Sequence, residues 1–274
     1  MAKSSKSIVV VSDVHDGGST AVCSEHPYNS EMDSEYKPNK LQRVLNRAWY
    51  DCIDDLEQKP TLLVVNGEPC DGGNPKQNGQ QSWSTNVYDQ LNDAAILLGA
   101  IPYDNLMFVR GSKYHVQVEG TNFEEITAKQ LNADAYRAYG GSGKTDYQAN
   151  IEVHGKIFNV THHVGYARWW QYRPTSIAQE MVKMHFDHAK RKFHTDAMIR
   201  SHVHYYCQVK FLNTIALTTP AWKLPDPFMY RNGLPMMPDV GLIEAIIDQP
   251  SLIERPIIIK GKKGVPIMAR IFSI

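Results

Sequence analysis

Short apolar segments that end in carboxylate or imidazole side chains recur along this chain, and this recurrence constrains the fold more than any other feature. The segments are rich in β-branched residues and nearly continuous rather than alternating, which is typical of strands covered on both faces. They lie at residues 8–12, 62–66, 106–110, 157–161, 197–200 and 215–218. The pattern therefore predicts six buried strands.

Amphipathic segments with helical spacing separate several of these strands. Residues 41–56, 87–98 and 176–192 each repeat apolar side chains at intervals of three and four. Alternating strands and helices indicate an α/β fold built on a mainly parallel or mixed sheet, which binds ligands at the carboxyl ends of its strands. For 274 residues we expect one domain, spanning 1–274.

The polar residues after the first five strands match that expectation. They are Asp13 and His15, Glu68 and Asp71, His115, His162 and His163, and His202 and His204. One polar residue after a strand is usually a turn or a helix cap, but five successive strands that deliver such groups to one edge indicate a shared site.

These residue types predict a site for two divalent cations. Mixed carboxylate and imidazole ligands suit manganese, iron, zinc or nickel better than calcium, which prefers oxygen ligands. Two such ions about 3.5–4 Å apart can clamp a phosphoryl group and lower the pKa of water towards about 7, so that hydroxide is available at neutral pH. A carboxylate that bridges both ions is needed, and either Glu68 or Asp71 can fill that role.

The motifs and their order resemble one known family. The relevant segments are Asp13-Val14-His15, Gly67-Glu68-Pro69-Cys70-Asp71, Gly111-Ser112-Lys113-Tyr114-His115, Thr161-His162-His163 and Ser201-His202-Val203-His204. They resemble the DxH, GDxxD, GNHD, single-histidine and GHxH motifs of the calcineurin-like metallophosphoesterases, from about residue 8 to residue 204.

The resemblance implies a four-layer α/β/β/α sandwich with two facing mixed sheets, and it also implies roles for individual residues. The implied ligands are Asp13, His15 and His204 for a first metal, His162 and His202 for a second, and Glu68 as the bridge. His115 is the implied general acid. We expect two divalent cations, manganese first, and hydrolysis of a phosphate ester, more readily a phosphodiester, with nucleic acid or a nucleotide included. The alternative is a weakly active or inactive binding or scaffold protein with the same fold.

Two departures from the family pattern leave roles open. Glu68 replaces the bridging aspartate, so Asp71 is a second candidate for the bridge. Ser112 stands where the family has a metal-binding asparagine, and the histidine of that loop falls at position 115 instead of 113. His115 is therefore either the general acid or a replacement ligand, with Lys113 or Arg110 left to neutralise the phosphate, unless the second metal site is weak. Of His162 and the adjacent His163, we expect His162 to be the ligand.

Bulk composition adds few constraints. The formal net charge is zero, so charge neither indicates nor excludes nucleic acid. No apolar run approaches a membrane span or a secretory signal, so we expect a cytoplasmic protein without a membrane partner. The four cysteines lack a CxxC pair, which predicts reduced thiols. In the loop 219–239, the aromatic residues Trp222, Phe228 and Tyr230 either stack on a nucleobase or pack over the end of the sheet.

Overall fold

Two mixed β-sheets form the centre of the structure. The computed structural model describes residues 5–74, 79–118, 120–134, 143–191, 194–231, 238–248 and 251–258. The strands are β1 Lys6–Val11, β2 Tyr28–Asn29, β3 Ser34–Glu35, β4 Leu62–Asn66, β5 Asn105–Val109, β6 Gln117–Val118, β7 Thr121–Asn122, β8 Thr145–Asp146, β9 Gln148–Val153, β10 Lys156–Thr161, β11 Ala197–Arg200, β12 Cys207–Phe211, β13 Thr214–Thr218, β14 Gly241–Asp248 and β15 Ser251–Ile258.

The helices alternate with these strands. They are α1 Lys40–Asp54, α2 Val87–Gly99, α3 Lys113–Val116, α4 Phe123–Gln130, α5 Arg173–Arg191 and α6 Pro227–Arg231. The first sheet has the order β15-β14-β1-β4-β5-β8, and the second has the order β12-β13-β11-β10-β9. Strands β1, β4, β5 and β8 are parallel, as are β10, β11 and β13, so their carboxyl ends share an edge within each sheet.

The predicted elements are present with small shifts at their ends. All six predicted strands form, and their limits differ from the prediction by at most two residues. The three predicted helices correspond to α1, α2 and α5. The long connection after the first motif contains the short β2–β3 hairpin, which the sequence did not predict.

Alternation along β1 shows how the layers are built. Val9 and Val11 pack with α1, α2 and α4 on the outer face of the first sheet, whereas Ile8 and Val10 pack against the second sheet. On the outer face of the second sheet, Ile177 of α5 lies in a further apolar cluster. The order is helices, sheet, sheet, helix, and it confirms the predicted four-layer sandwich.

The cap of α1 also fixes the loop after the first motif. The Asn39 side chain accepts from the backbone N–H groups of Leu41 and Gln42, and Gln42 accepts in return from the Asn39 N–H. The Gln42 amide also donates to the carbonyl of Gly18. The start of the helix is thereby tied to the segment that carries Asp13 and His15.

Three further expectations can be compared with the structure. Trp222 is fully buried and its ring lies 4.7 Å from that of Trp49, so it packs in the core and is closed to a nucleobase. All four cysteines are free thiols. Within the described residues, no helix combines the length and apolar character that crossing a bilayer requires.

Candidate metal centre

The five motif loops meet at the carboxyl ends of β1, β4, β5, β10 and β11. Three groups of side chains there offer ligand atoms within 4.8 Å of one another. The groups are Asp13, His15, Glu68 and His204; His162, His163 and His202; and His15, Asp71 and His115. Every residue that the sequence placed in the site is therefore found at this edge.

The backbone of the site is held against its local preference. Five of the ten described non-glycine residues with positive φ are candidate ligands, namely Asp13, His15, Glu68, His202 and His204, with φ between 50° and 71°. The left-handed region costs a non-glycine residue roughly 1–2 kcal/mol. Such strain concentrates at functional sites, where the surrounding fold imposes it. The rest of the fold therefore stabilises a geometry that these residues would not adopt alone.

Glu68 lies between two groups of histidines. Its Oε2 is 2.9 Å from Nε2 of His15, and its Oε1 is 3.2 Å from Nε2 of His162 and 4.0 Å from Nδ1 of His202. The two oxygens of one carboxylate thus face different imidazoles. This is the placement that a bridging ligand requires.

Asp13 occupies the floor of the same site. Its Oδ2 accepts from the backbone N–H of His202, whereas its buried Oδ1 has no hydrogen-bond partner. That Oδ1 lies 3.2 Å from Nε2 of His204 and 3.9 Å from Nε2 of both His15 and His162. A buried carboxylate oxygen that faces three imidazole nitrogens without a hydrogen bond is suited to a cation.

Hydrogen bonds to groups behind the imidazoles orient two of the candidate metal ligands. Nδ1 of His162 lies 2.7 Å from the carbonyl oxygen of Asn66, which can only accept, so this nitrogen carries the proton and Nε2 is turned to Glu68. Nδ1 of His15 lies 3.1 Å from Oδ1 of Asp71, which leaves its Nε2 facing Glu68 as well. Metal-binding histidines in proteins have such a carbonyl or carboxylate behind them.

The buried carboxylates of the site make positive charge favourable there. Burial lowers the pKa of His162, but the carboxylates of Glu68 and Asp13 outweigh this effect and raise it to about 10. Burial likewise opposes ionisation of Glu68, yet nearby imidazoles led by His115 and His162 hold its pKa well below the usual range. Carboxylate oxygens and imidazole nitrogens converge here, and the buried Nε2 of His162 makes no hydrogen bond. The donor set fits divalent cations.

Asp71 and His163 lie at the margins of the site. Asp71 contacts the opposite side of the His15 ring from Glu68 and accepts from Nζ of Lys223 at 2.8 Å. The side chain of His163 is exposed, and its ring centroid lies 4.1 Å from that of His202 and 6.2 Å from that of His162. This geometry favours Glu68 over Asp71 as the bridge and His162 over His163 as the ligand.

The rebuilt third loop contacts both the bridge and the cleft. Ser112 donates to Oε1 of Glu68 from its backbone N–H and from its hydroxyl. Nδ1 of His115 donates to the backbone carbonyl of Asp71 at 2.8 Å, and the His115 ring packs edge-on against His15. Burial lowers the pKa of His115. With Nδ1 engaged in this way, Nε2 of His115 is the nitrogen that can exchange a proton.

The candidate site lies where the fold brings the carboxyl ends of its strands together. Two mixed sheets lie between helical layers, and the loops that carry the five motifs converge at the carboxyl ends of the strands. The chain has the four-layer α/β/β/α fold that the resemblance to the calcineurin-like metallophosphoesterases implied. No family model and no curated protein matches its sequence.

Several solved structures are similar to this fold. A predicted phosphoesterase from Streptococcus pneumoniae has 9% identity and a TM-score of 0.38, with 93% of this chain and 99% of that chain covered. An archaeal phosphodiesterase has 12% identity and a TM-score of 0.43, with coverage of 92% and 99%. Vps29 from Entamoeba histolytica, in complex with zinc, has 12% identity and a TM-score of 0.40, with coverage of 92% and 98%.

Two buried residues that contact the candidate site were not predicted from the sequence. Glu124 of α4 is fully buried, and its Oε1 accepts from the backbone N–H groups of Glu68 and Gly111. Burial raises the pKa of Glu124 to about 7. Lys223 is also buried and pairs with Asp71 and Asp226. No local sequence pattern marks either residue, because each role depends on contacts with distant segments.

A cleft of about 740 Å³ opens beside the histidines. Its walls include His115, His162, His163 and His202 together with Arg110, Lys113 and Tyr147. Among the described residues that line it, none is an aspartate or a glutamate. The cleft is therefore suited to an anionic group that reaches the candidate metal centre.

Proposed function

We propose that this chain is a metal-dependent phosphoesterase that hydrolyses a phosphodiester with two divalent cations. The observation that supports this most is the position of Glu68, whose two carboxylate oxygens face His15 on one side and His162 on the other. A single carboxylate shared between two imidazole groups is the arrangement that a pair of cations needs.

Each cation has its own set of protein donors in this proposal. Asp13, His15 and His204 would hold one cation, His162 and His202 would hold the other, and Glu68 would contribute a carboxylate oxygen to each. Manganese is the first metal to test, and the same mixture of carboxylate oxygen and imidazole nitrogen also suits iron, zinc or nickel. When bound, divalent cations polarise the phosphoryl group and lower the pKa of water to near neutrality.

His115 is the proposed proton donor to the leaving oxygen. It lines the cleft, and its Nδ1 is occupied by the carbonyl of Asp71, so Nε2 is available. Burial holds its pKa low in the free protein. To act as the general acid, His115 would carry a proton on Nε2 when substrate is bound. Arg110 and Lys113 would neutralise the non-bridging oxygens of the phosphate.

The presence of serine at position 112 supports a second candidate function. The resemblance places a metal-binding asparagine at this position, and the serine side chain instead donates to Glu68. The second cation would then rely on His162, His202 and one oxygen of Glu68. If that set is too weak, the chain is a binding or scaffold protein with a phosphoesterase fold.

Hydrolysis of chromogenic substrates separates the two candidates. Full-length protein, treated with chelator and then reloaded with manganese, would be assayed with bis(p-nitrophenyl) phosphate and with p-nitrophenyl phosphate. We expect turnover of the diester to exceed that of the monoester and to disappear in chelator. Asp13→Asn should abolish turnover, and His115→Ala should lower it by about 10²- to 10⁴-fold while the metals stay bound. Absence of turnover with both substrates would favour the binding protein, and turnover unchanged in Asp13→Asn would show that hydrolysis does not depend on this site.

A further inference from the structure

Four large aromatic side chains project into solvent from the segment that follows β10. Their exposed fractions are 39% for Tyr166, 59% for Trp169, 75% for Trp170 and 56% for Tyr172. Val164 and Ala167 of the same segment are buried in the protein, so the segment is anchored while its aromatic residues face outward. Exposed tryptophans at this density are characteristic of a binding surface.

This aromatic segment follows His163, a residue of the cleft wall, along the chain. Thr161, at the end of β10, pairs with Gln148, at the start of β9, so Tyr147 and His162 are neighbours at the same edge of the second sheet. Tyr147 is 54% exposed and lines the cleft beside His163. Tyr166 follows His163 by only three positions, a reach of at most about 10 Å. The aromatic segment therefore begins within about 10 Å of His163 at the edge of the candidate catalytic site.

Positive charge is interleaved with the aromatic rings. The guanidinium of Arg110 lies 5.1 Å from the centre of the Tyr147 ring, and both residues line the cleft. Lys113 lines the same cleft, and Arg168 is exposed within the aromatic segment. Alternating cations and exposed aromatic rings are the features that bind a phosphate backbone and its unpaired bases together.

We propose that the substrate is single-stranded nucleic acid, whose bases stack on Tyr147, Trp169 and Trp170 while a backbone phosphate enters the cleft. The inference rests on the proposed phosphodiesterase function, which it deepens by naming the polymer. A duplex hides its bases from such a surface, and a peptide contains no phosphodiester for the proposed reaction. The formal net charge of zero is compatible with this assignment, because stacking rather than charge supplies the preference for single strands.

Binding can be tested without catalysis. Full-length protein in excess chelator would be titrated into a fluorescein-labelled oligothymidylate of about 20 nucleotides, longer than one such binding site, with fluorescence anisotropy as the readout and a duplex of equal length as competitor. Trp169→Ala and Trp170→Ala should each raise Kd by about 5- to 150-fold, the range expected for loss of one stacked base. The matched control is Phe186→Ala. Phe186 is 68% exposed but lies on α5, well beyond the aromatic segment, and its removal should leave Kd unchanged.

The outcomes separate this inference from the proposed function. Failure to bind the oligonucleotide, equal binding of the duplex, or unchanged Kd in both tryptophan variants would overturn the inference. If the small diester is still hydrolysed in that case, the proposed function stands alone. Oligonucleotide binding without hydrolysis of any diester would overturn the proposed function, and the nuclease inference would fall with it. Concentration-dependent self-association that the tryptophan variants abolish, without an effect on DNA binding, would overturn the inference by assigning the surface to a protein partner.

Discussion

Ser112 donates two hydrogen bonds to Oε1 of Glu68, one from its backbone N–H and one from its hydroxyl. Both residues are departures from the family pattern, since the resemblance places asparagine at position 112 and aspartate at position 68. Glu68 carries its carboxylate one methylene further from the backbone, and Ser112 contacts that carboxylate directly. The two departures therefore meet at a single hydrogen-bonded pair beside the second cation site.

Removal of the Ser112 hydroxyl should weaken the second cation site. In Ser112→Ala, Oε1 of Glu68 keeps the backbone N–H but loses the side-chain donor that orients it. We expect about 10- to 100-fold weaker binding of the second manganese ion, the usual effect of losing a group that positions a ligand. Isothermal titration calorimetry would resolve the two binding steps. Ser112→Thr keeps a hydroxyl and should bind normally, and equal affinity in the alanine variant would show that the contact is incidental.

Gly67 should be irreplaceable for a steric reason. Its φ is +85°, and a Cβ at this position would lie 2.3 Å from Nδ1 of His162, the atom that donates to Asn66. Gly67→Ala should displace that imidazole and remove one bound manganese per chain. Gly155 is the matched control, because its φ is +75° and a Cβ there would meet no atom within 4 Å.

Gly155→Ala should cost only about 1–2 kcal/mol of unfolding free energy, the strain of the left-handed backbone, and should keep both ions. Elemental analysis and urea denaturation measure the two effects. Equal metal content in the two variants would contradict the predicted displacement of His162.

Lys223 should stabilise the site by compensating buried carboxylates. Its Nζ lies 2.8 Å from Asp71 and 3.3 Å from Asp226, and all three side chains are buried. Lys223→Met should lower the free energy of unfolding by about 3–5 kcal/mol, because the remaining charges lose their partner. The exposed pair of Lys59 and Asp104 provides the comparison, and Lys59→Met should cost at most about 1 kcal/mol. Urea denaturation in chelator measures both, and similar losses would contradict the account.

The pKa of His162 predicts a pH dependence for the metal-free protein. Glu68 and Asp13 raise that pKa to about 10, above the unfolded value of 6.5, so the bound proton stabilises the folded state fully below pH 6.5. This contribution should be lost as the pH rises towards 10. In chelator, stability should therefore fall as the pH rises from 6.5 to about 9, with a smaller slope in His162→Gln. Because metal and proton compete for the imidazole, manganese should bind more tightly over the same range. A flat profile in chelator would contradict this prediction.

Much of the fold follows from local sequence. Strands such as β1 and β4 contain continuous apolar runs rich in β-branched residues, so their limits are found within two residues. Other elements were not predicted from the sequence because their patterns of apolar and polar residues are mixed. Strand β12 is a partly exposed edge strand, and α4 is only eight residues long. Neither contains a long enough apolar repeat to stand out from the surrounding loops.

The site is predictable to the level of its ligand types but not of its contacts. The sequence places both Glu68 and Asp71 shortly after β4 and cannot decide which one bridges. The distinction arises from Lys223, 152 residues after Asp71, which engages that carboxylate and leaves Glu68 to face both histidine groups. Glu124 is a similar case, since its hydrogen bonds to Glu68 and Gly111 exist only in the folded chain.

The most direct test of the account is the location of metal in crystals of the full-length protein grown with manganese. An anomalous difference map recorded at the manganese absorption edge would show how many ions are present and which side chains hold them. A binuclear centre bridged by Glu68 predicts two peaks about 3.5–4 Å apart, each next to one carboxylate oxygen of Glu68. A single peak, or two peaks that share Asp71 and leave Glu68 unbound, would contradict the binuclear centre proposed for this chain.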